Sequence, residues 1–498
     1  MYKIISYKMK NEQLSQRVEK VEELRSKGIN PYRNDFKPTH LARDLIDQFS
    51  NLEQDELEKI DSKFYLAGRL TSERNFGKSI FFHINDFSGK IQGYIRNNII
   101  GKEKLEFFNQ FIDIGDFIGI VGTLFKTKTG ELTINITDFV LLSKSLHPLP
   151  EKWHGLQDVE TRYRQRYLDL ISNEQIKEIF YKRSKIIRLI RDYLDKRGFI
   201  EVETPILHPI AGGAAARPFK TFHNALDMEF YLRIAPELYL KRLVVGGLEK
   251  VYEIGRTFRN EGVSTQHNPE FTILELYQSY ATYEDLMELI EEMICSVAKD
   301  LTGVLKLEYS GKEINLSRPW KRVDMLESLV GKFGKQITIE DEYLFNTADS
   351  FKISHNGVRG KAILELFEIV FSKDFIDPTY VLGFPLDISP LARRNDSNPE
   401  ITDRFELYVS GKEIANAFSE LNDPIDQRER FNKQLELKLK GEDEAHEMDE
   451  DFLTALEYGM PPTAGAGIGI DRLVMLFTNS SSIREVIFFP HLRPENTK

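Results

Sequence analysis

The chain has little cysteine and no long apolar run, and these two features argue against disulfide-bonded, zinc-binding and membrane-spanning structures. Its single thiol, Cys295, has no partner for an internal disulfide or a Cys-x-x-Cys zinc site. We therefore expect a reducing compartment and a buried, apolar role for this side chain. No run of about 18 apolar residues exists, so no membrane-spanning helix is predicted. Met1–Lys10 also lacks the apolar core of a secretory signal, and a cytoplasmic protein is expected.

A positive net charge is also missing, because 67 Lys and Arg stand against 78 Asp and Glu, a formal net charge of −11. This average charge repels polyanions, so a nucleic acid partner would need a local basic or aromatic surface. The 498 residues exceed what one hydrophobic core usually serves, so two or more domains are expected. With 41% hydrophobic and 29% charged residues, the composition is that of a globular chain.

The N-terminal part of the sequence, residues 1–60, is predicted as a helical extension. Asn11–Lys27 carries one apolar stripe of Leu14, Val18, Val21 and Leu24, and its other faces are highly charged. Such a helix either docks on a partner or packs only on its own domain, and the sequence does not separate these alternatives.

Residues 61–146 are predicted as a small OB-type β-barrel. Ser88-Gly89 and Thr129-Gly130 mark hairpin turns, and a short helix is expected near Lys102–Phe111. Five short β-rich runs supply the strands: Phe64–Leu70, Ser79–Phe87, Ile91–Ile95, Phe117–Phe125 and Leu132–Leu142.

A proline-containing linker, residues 147–157, is predicted to lead into a second domain, residues 158–498. Helix Glu174–Arg197 has a broad apolar stripe and ends at Gly198. Strand and helix patterns mix beyond it, which is typical of an α+β domain. Residues from about 285 to 377 hold long helical patterns and are predicted as a helical insertion.

A predicted hairpin in the second domain carries an unexpected carboxylate. Val251–Arg259 and Phe271–Tyr277 are strand-like and enclose a polar loop. Alternation along the second strand places Phe271, Glu275 and Tyr277 on one face. Because an unpaired buried charge is costly, we expect Glu275 to meet a ligand or an ion-pair partner.

Acidic residues recur through Arg404–Glu420, which is predicted as two short strands joined near Gly411. Carboxylates gathered in this way suit Mg²⁺ on a nucleotide, or a cationic substrate. Simple alternation places Asn416 and Glu420 on one face and Glu413 on the other. A turn or bulge would have to return Glu413 to the same site.

Two further stretches, Gly198–Pro205 and the glycine-rich Ala464–Arg472, flank these elements. In their order, the first stretch, the hairpin and the last stretch resemble motifs 1, 2 and 3 of class II aminoacyl-tRNA synthetases. A preceding OB domain is like the subgroup for lysine, aspartate and asparagine. Five stretches resemble the bacterial lysine-specific members: Ala211–Phe219, Leu232–Arg242, His267–Tyr277, Phe418–Asn422 and Met460–Gly465.

This resemblance implies an antiparallel catalytic sheet flanked by helices, after the OB barrel. It also implies ATP-dependent activation of L-lysine, transfer to tRNA(Lys), up to three Mg²⁺ per site, and a homodimer formed through motif 1.

For ATP, the resemblance implies two catalytic arginines, Arg259 and Arg472, because attack of a carboxylate on the α-phosphate needs charge neutralisation and in-line positioning. Arg259 would contact the α-phosphate and the lysine carboxylate, and Phe271 and Arg472 would sandwich the adenine. Glu406 and Glu413 would hold Mg²⁺. The implied ATP-binding set is Arg259, Glu261, His267, Phe271, Glu406, Glu413 and Arg472.

For L-lysine, Gly213 and Glu237 would lie at the α-amino group. Glu275 and Glu420 favour lysine over aspartate, because a lysine ammonium needs buried carboxylates and a wrong amino acid leaves them unpaired. The implied lysine-binding set is Gly213, Glu237, Arg259, Glu275, Tyr277, Asn416 and Glu420.

In the barrel, Arg74, Phe81, Gln92 and Glu131 match positions that contact the anticodon in the family. An aromatic ring stacks a base, and polar groups read its edge. Core packing is the competing interpretation of Phe81, and its neighbour Phe82 should face the other way.

Three other functions compete with lysine activation. An aspartate- or asparagine-specific relative would share the class, and an enzyme that transfers lysine to a protein would lack the OB domain. A non-catalytic tRNA-binding paralogue should have lost Arg259, Arg472 or the acidic metal ligands. One departure from the family is Gln266, where many bacterial members carry arginine, in a loop expected near ATP or the tRNA acceptor end.

Overall fold

A computed structural model describes residues 12–150, 156–439 and 447–494. The chain divides into two compact units between Leu156 and Gln157. Among the described residues, none of the helices combines the length and the apolar character needed to cross a membrane. The domain bounds given above, 1–60, 61–146, 147–157 and 158–498, stay predictions.

The first unit contains a closed five-stranded barrel, paired in the order β1-β2-β3-β5-β4, which confirms the OB-type prediction. Alternate side chains along each strand point inward, as Ile80, Phe82 and Ile84 do on the second strand. The strands are β1 Phe64–Asn75, β2 Ser79–Asn85, β3 Lys90–Arg96, β4 Phe117–Lys126 and β5 Leu132–Ser143. The helices are α1 Glu12–Ser26, α2 Ala42–Phe49, α3 Gln54–Leu57, α4 Asn97–Ile100 and α5 Lys102–Phe111.

Helix α1 packs on its own unit. Leu24 is fully buried in the barrel core. The Arg17 guanidinium donates to the carbonyl of Ser145 at 2.8 Å, and Lys20 pairs with Asp113 at 2.8 Å. These contacts favour the interpretation in which the charged helix serves its own domain.

The second unit is built on an eight-stranded sheet in the order β14-β15-β16-β17-β18-β11-β10-β6. The central pairs are antiparallel, and the edge pairs β14–β15 and β6–β10 are parallel. Its strands, together with those of two small sheets, are β6 Ile200–Glu201, β7 Leu207–His208, β8 Lys220–His223, β9 Met228–Leu232, β10 Lys250–Phe258, β11 Glu270–Ser279, β12 Lys306–Tyr309, β13 Lys312–Asn315, β14 Lys321–Asp324, β15 Thr379–Leu382, β16 Arg404–Val409, β17 Lys412–Ser419 and β18 Thr463–Gly469.

Helices cover one face of this sheet. Leu274 and Leu276 of β11 are fully buried in a core shared with α8, α10 and α17, and the thiol of Cys295 is buried there as predicted. The helices of this unit are α6 Val159–Arg164, α7 Arg166–Ser172, α8 Glu174–Asp195, α9 Glu237–Val245, α10 Tyr283–Thr302, α11 Met325–Phe333, α12 Gln336–Ile339, α13 Asp341–Ser350, α14 Arg359–Phe371, α15 Pro424–Leu439, α16 Glu450–Glu457, α17 Ile470–Thr478 and α18 Ile483–Val486.

The range 285–377, predicted as a helical insertion, is more mixed than its sequence pattern indicates. Helices α11 to α14 enclose a small core of their own. However, β12 and β13 form a hairpin, and β14 extends the main sheet. The sequence of β14 is the polar tetrapeptide Lys-Arg-Val-Asp, which is too short to show a strand period.

Candidate active site

A cavity of about 420 Å³ opens on the face of the sheet that the helical core leaves uncovered. Phe271, Ile273, Glu275 and Tyr277 of β11 line it, as the predicted alternation requires. Of the predicted ATP and lysine residues, those that line it are Gly213, Glu237, Arg259, Glu261, His267, Phe271, Glu275, Tyr277, Glu406, Glu413, Asn416 and Arg472. Glu420 is not among them.

The β10–β11 hairpin places Arg259 in the lining of this cavity. Arg259 follows the last residue of β10, and its backbone N–H donates to the carbonyl of Pro269 at 2.8 Å, which closes the loop. Its guanidinium carbon lies 5.2 Å from the ring centroid of Phe271. Among the described residues no carboxylate forms an ion pair with Arg259, so this cation can meet an anionic ligand.

A β-bulge brings the two halves of the acidic hairpin to the same cavity. Leu407 pairs with Ala415 and Tyr408 pairs with Glu413, so Ile414 is the extra residue. The bulge changes the alternation of β17, and both Glu413 and Asn416 line the cavity. Such a bulge is expected, because simple alternation places Glu413 and Asn416 on opposite faces of the strand.

Glu406 and Glu413 are two carboxylates whose like charges repel each other. Burial and the charge of Glu413 raise the pKa of Glu406 to about 7. Its carboxylate accepts from Arg404 Nη2 at 2.7 Å and from the Tyr408 hydroxyl at 2.9 Å. Burial is the largest influence on Glu413 and acts in the same direction, but the guanidinium of Arg472, 3.0 Å from Oε2, together with those of Arg259 and Arg404, lowers the pKa of Glu413 overall.

His267 is held neutral beside this pair. Its Nε2 lies 3.4 Å from Nη2 of Arg472, and a guanidinium only donates, so Nε2 accepts. Nδ1 then carries the proton, toward the Ser264 hydroxyl at 3.1 Å. Partial burial and the charge of Arg472 both lower the pKa of His267.

The other end of the cavity is acidic and buried. Glu237 begins α9, and Gly213 packs against it with a φ of +90°, a conformation that favours glycine. The Tyr277 hydroxyl donates to Glu275 Oε2 at 3.1 Å. Burial raises the pKa of Glu275 and of Tyr277 well above their usual values. Asn416 Oδ1 accepts from Arg404 Nε at 3.1 Å.

Glu420 lies one layer deeper than the other predicted lysine ligands. Its side chain is fully buried and forms an ion pair with Lys241 of α9. A Cβ built on Gly465, which lines the cavity, would collide with Glu420 Oε1 and with the Tyr277 ring. The glycine is therefore what leaves this carboxylate within reach of the cavity.

Three features of the site were missed by the sequence analysis. The sequence predicts Arg404 only as the start of a strand, yet its guanidinium contacts both Glu406 and Asn416. The loop 388–392, which lines the cavity, has no motif that announces it. Lys241 had a usable signal, because it lies four residues after Glu237 and therefore on the same helical face.

The predicted anticodon residues fall on β1 to β3 of the barrel and on the β4–β5 turn. Phe81 is partly exposed and stacks on Tyr94 at 4.1 Å between centroids, whereas Phe82 is buried, as expected for neighbours on a strand. Arg74 is the cross-strand partner of Phe81. Gln92 Nε2 donates to Glu131 Oε2 at 2.9 Å.

Comparison with known proteins agrees with this architecture. Residues 158–493 match the family described as tRNA synthetases class II (D, K and N), and residues 64–142 match the OB-fold nucleic acid binding domain. A lysine–tRNA ligase of Carboxydothermus hydrogenoformans is 54% identical, over 98% of this chain and 99% of the relative. One of Pelotomaculum thermopropionicum is 55% identical, over 97% and 95%. The chain belongs to the class II tRNA synthetases of the aspartate, lysine and asparagine group.

Proposed function

We propose that the chain is a lysine–tRNA ligase, which activates L-lysine with ATP and loads it onto tRNA(Lys), releasing diphosphate and then AMP. The observation that carries the substrate is the group of buried carboxylates Glu237, Glu275 and Glu420 at one end of the cavity. Lysine brings an α- and an ε-ammonium group to these carboxylates, whereas aspartate or asparagine brings only the α-ammonium group and leaves a buried negative charge unpaired. The names of the relatives above support the same substrate.

In the first step, a lysine carboxylate oxygen bonds to the α-phosphorus as the bond to the diphosphate breaks. This step needs no proton transfer, so catalysis rests on positioning and on charge neutralisation. Arg259 in the cavity lining would meet the α-phosphate and the lysine carboxylate. Arg472, Glu261, His267 and the Phe271 ring would hold the rest of ATP.

Glu406 and Glu413 are proposed to hold Mg²⁺ together with the ATP phosphates. Their donor set fits this ion, since they are carboxylates of one cavity with mutual repulsion that a divalent cation relieves. Among residues 12–150, 156–439 and 447–494, no cluster of three or more metal-ligating side chains occurs. Phosphate oxygens would therefore complete the coordination, and the ion would neutralise the departing diphosphate.

The test of the proposed function is amino-acid-dependent exchange of labelled pyrophosphate into ATP, with each of the twenty amino acids and Mg²⁺. We expect exchange with lysine alone. Exchange with aspartate or asparagine would overturn the lysine pocket while keeping the class. No exchange by folded, ATP-binding protein would favour a non-catalytic paralogue. Such a paralogue is not expected, because the chain retains Arg259, Arg472, Glu406 and Glu413.

The barrel is proposed to bind the anticodon through Arg74, Phe81, Gln92 and Glu131. Phe81→Ala should weaken tRNA(Lys) binding by roughly 10- to 100-fold, because stacking on an aromatic contributes about 1–3 kcal/mol per base. Filter binding would measure the affinity, and pyrophosphate exchange should stay unchanged because it needs no tRNA. Phe87→Ala, which removes an exposed ring at the far end of the β2–β3 hairpin, is the matched control. Equal affinity of both variants and the wild type would contradict the assignment.

A homodimer formed through the motif 1 region is proposed on the exposed apolar side chains there. Ile200, Ile206 and Leu207 are 52%, 46% and 44% exposed, and the short strand β6 ends the main sheet. Such a patch at a sheet edge is typical of an interface. The mass in solution tests this assembly. A cytoplasmic location is proposed with it, as for other translation enzymes.

A further inference from the structure

Lys241 is a buried cation behind the amino-acid end of the cavity. It lies one helical turn after Glu237 on α9 and has no exposed side-chain surface. Its ammonium donates to Glu237 Oε1 at 2.6 Å and forms an ion pair with Glu420 Oε2. Behind it, the ring centroids of Phe418 and Phe452 lie 5.4 and 6.0 Å away. The cation is thus fixed between two aromatic rings and two carboxylates.

The charged groups around Lys241 do not balance, because carboxylates outnumber cations. When ionised, Glu237 on α9, Glu275 on β11 and Glu420 after β17 supply three negative charges, and Lys241 supplies one positive charge. The other charged groups nearby form closed pairs of their own: Arg404 with Glu406 at 2.7 Å, and Arg233 with Glu253 at 2.5 Å. Burial keeps Tyr277 neutral, because it raises the pKa of the phenol.

Two negative charges therefore remain, which equals the number of ammonium groups on lysine. The substrate carboxylate does not enter this count, because Arg259 is proposed to neutralise it. An uncompensated charge in a buried site is costly, so the count itself discriminates between substrates.

The ion pair also fixes which oxygen of Glu420 a ligand can reach. Lys241 forms its ion pair with Oε2, and neither oxygen of Glu420 has a further hydrogen-bond partner among the described residues. Oε1 is the atom next to the space that Gly465 leaves by lacking a Cβ. The orientation of a fully buried carboxylate is thus set by a lysine that lies outside the cavity.

We propose that Lys241 is a positioning residue for lysine specificity. It compensates one of three pocket carboxylates and aims another, so that two substrate ammonium groups complete the charge balance. The inference rests on the proposed function, since it assumes lysine as the substrate.

The proposal has a pH signature. Burial raises the pKa of Glu420 to about 8, and Lys241 opposes that rise. A protonated carboxyl cannot pair with an ammonium, so lysine binding strengthens as the pH rises through this pKa. Without the charge of Lys241, the pKa rises further, and the same strengthening needs a more alkaline pH.

Lys241→Met tests the inference in the pyrophosphate exchange assay between pH 6.5 and 9. At pH 7, the KM for lysine should rise at least about tenfold, the effect of one pKa unit, and the KM for ATP should change less than about twofold. The midpoint of the lysine KM profile should move to higher pH. Lys241→Gln, which keeps a hydrogen-bond donor but not the charge, should show the same shift and guards against misfolding of the first variant.

Arg242→Met is the matched control, because Arg242 follows Lys241 on α9 and pairs with Asp449 at 2.7 Å instead. Its lysine KM should stay at the wild-type value. An unchanged lysine KM and pH profile in both Lys241 variants, or an equal loss in the Arg242 variant, would overturn the role of Lys241. Exchange by the wild-type protein with another amino acid would instead overturn the proposed function, so the two failures are distinguishable.

Discussion

Replacing Arg259 with methionine should lower the rate of lysine-dependent pyrophosphate exchange by about a thousandfold. The side chain is the cation placed closest to where the α-phosphate and the lysine carboxylate are expected to meet. Its Nε has no hydrogen-bond partner among the described residues, so little structure is lost with it. Thermal unfolding should therefore change little, and steady-state exchange at saturating lysine and ATP measures the effect.

Arg256→Met is the control for this variant. Arg256 lies on β10, three residues before Arg259 and therefore on the other face, and is 3.6 Å from Glu270 in an exposed pair. Exposed pairs of this kind contribute little to stability, so exchange should remain near the wild-type rate. If both variants lost activity alike, the hairpin rather than the guanidinium of Arg259 would be responsible.

Replacing Glu275 with glutamine should raise the KM for lysine by roughly 100-fold or more, because a buried ammonium would lose its ionised partner. The amide has the same size and can still accept the Tyr277 hydrogen bond, which now measures 3.1 Å. The KM for ATP should stay within about twofold of the wild-type value, as expected when only lysine binding is weakened. Exchange kinetics with lysine and ATP varied in turn would separate the two constants.

Glu270→Gln is the matched carboxylate on the same strand. Glu270 lies outside the cavity, and its side chain is 38% exposed. Its removal should leave the lysine KM unchanged. A wild-type lysine KM in the Glu275 variant would argue that another amino acid, or another carboxylate, defines the pocket.

The parts of the fold that repeat a local period could be predicted from the sequence. The barrel strands and α5 lie close to the predicted ranges because alternation and turn residues are local signals. The same alternation correctly grouped Phe271, Glu275 and Tyr277 on the cavity face. Motif resemblance added the residues that approach the cavity from other elements, which no local pattern can bring together.

Depth within the site could not be predicted, because it depends on tertiary packing. Spacing places Glu420 with Asn416, but only the packing of α9 shows that a lysine lies behind it. Loop 388–392 has no period to read, and β14 becomes a strand only through its neighbour β15. Burial of a charged side chain in particular follows from its partners, and those partners are distant in sequence.

The single extra residue at Ile414 has a consequence for redesign of this scaffold. In the proposed assignment, residues before it on the acidic hairpin would bind the nucleotide, and residues after it would bind the amino acid. The bulge thus separates two groups of cavity residues along one strand. Changes of substrate preference can be confined to positions after 414. A one-residue deletion between Glu413 and Asn416 would instead turn one of the two groups of side chains to the opposite face of the sheet. The hairpin should therefore tolerate substitutions but not insertions or deletions.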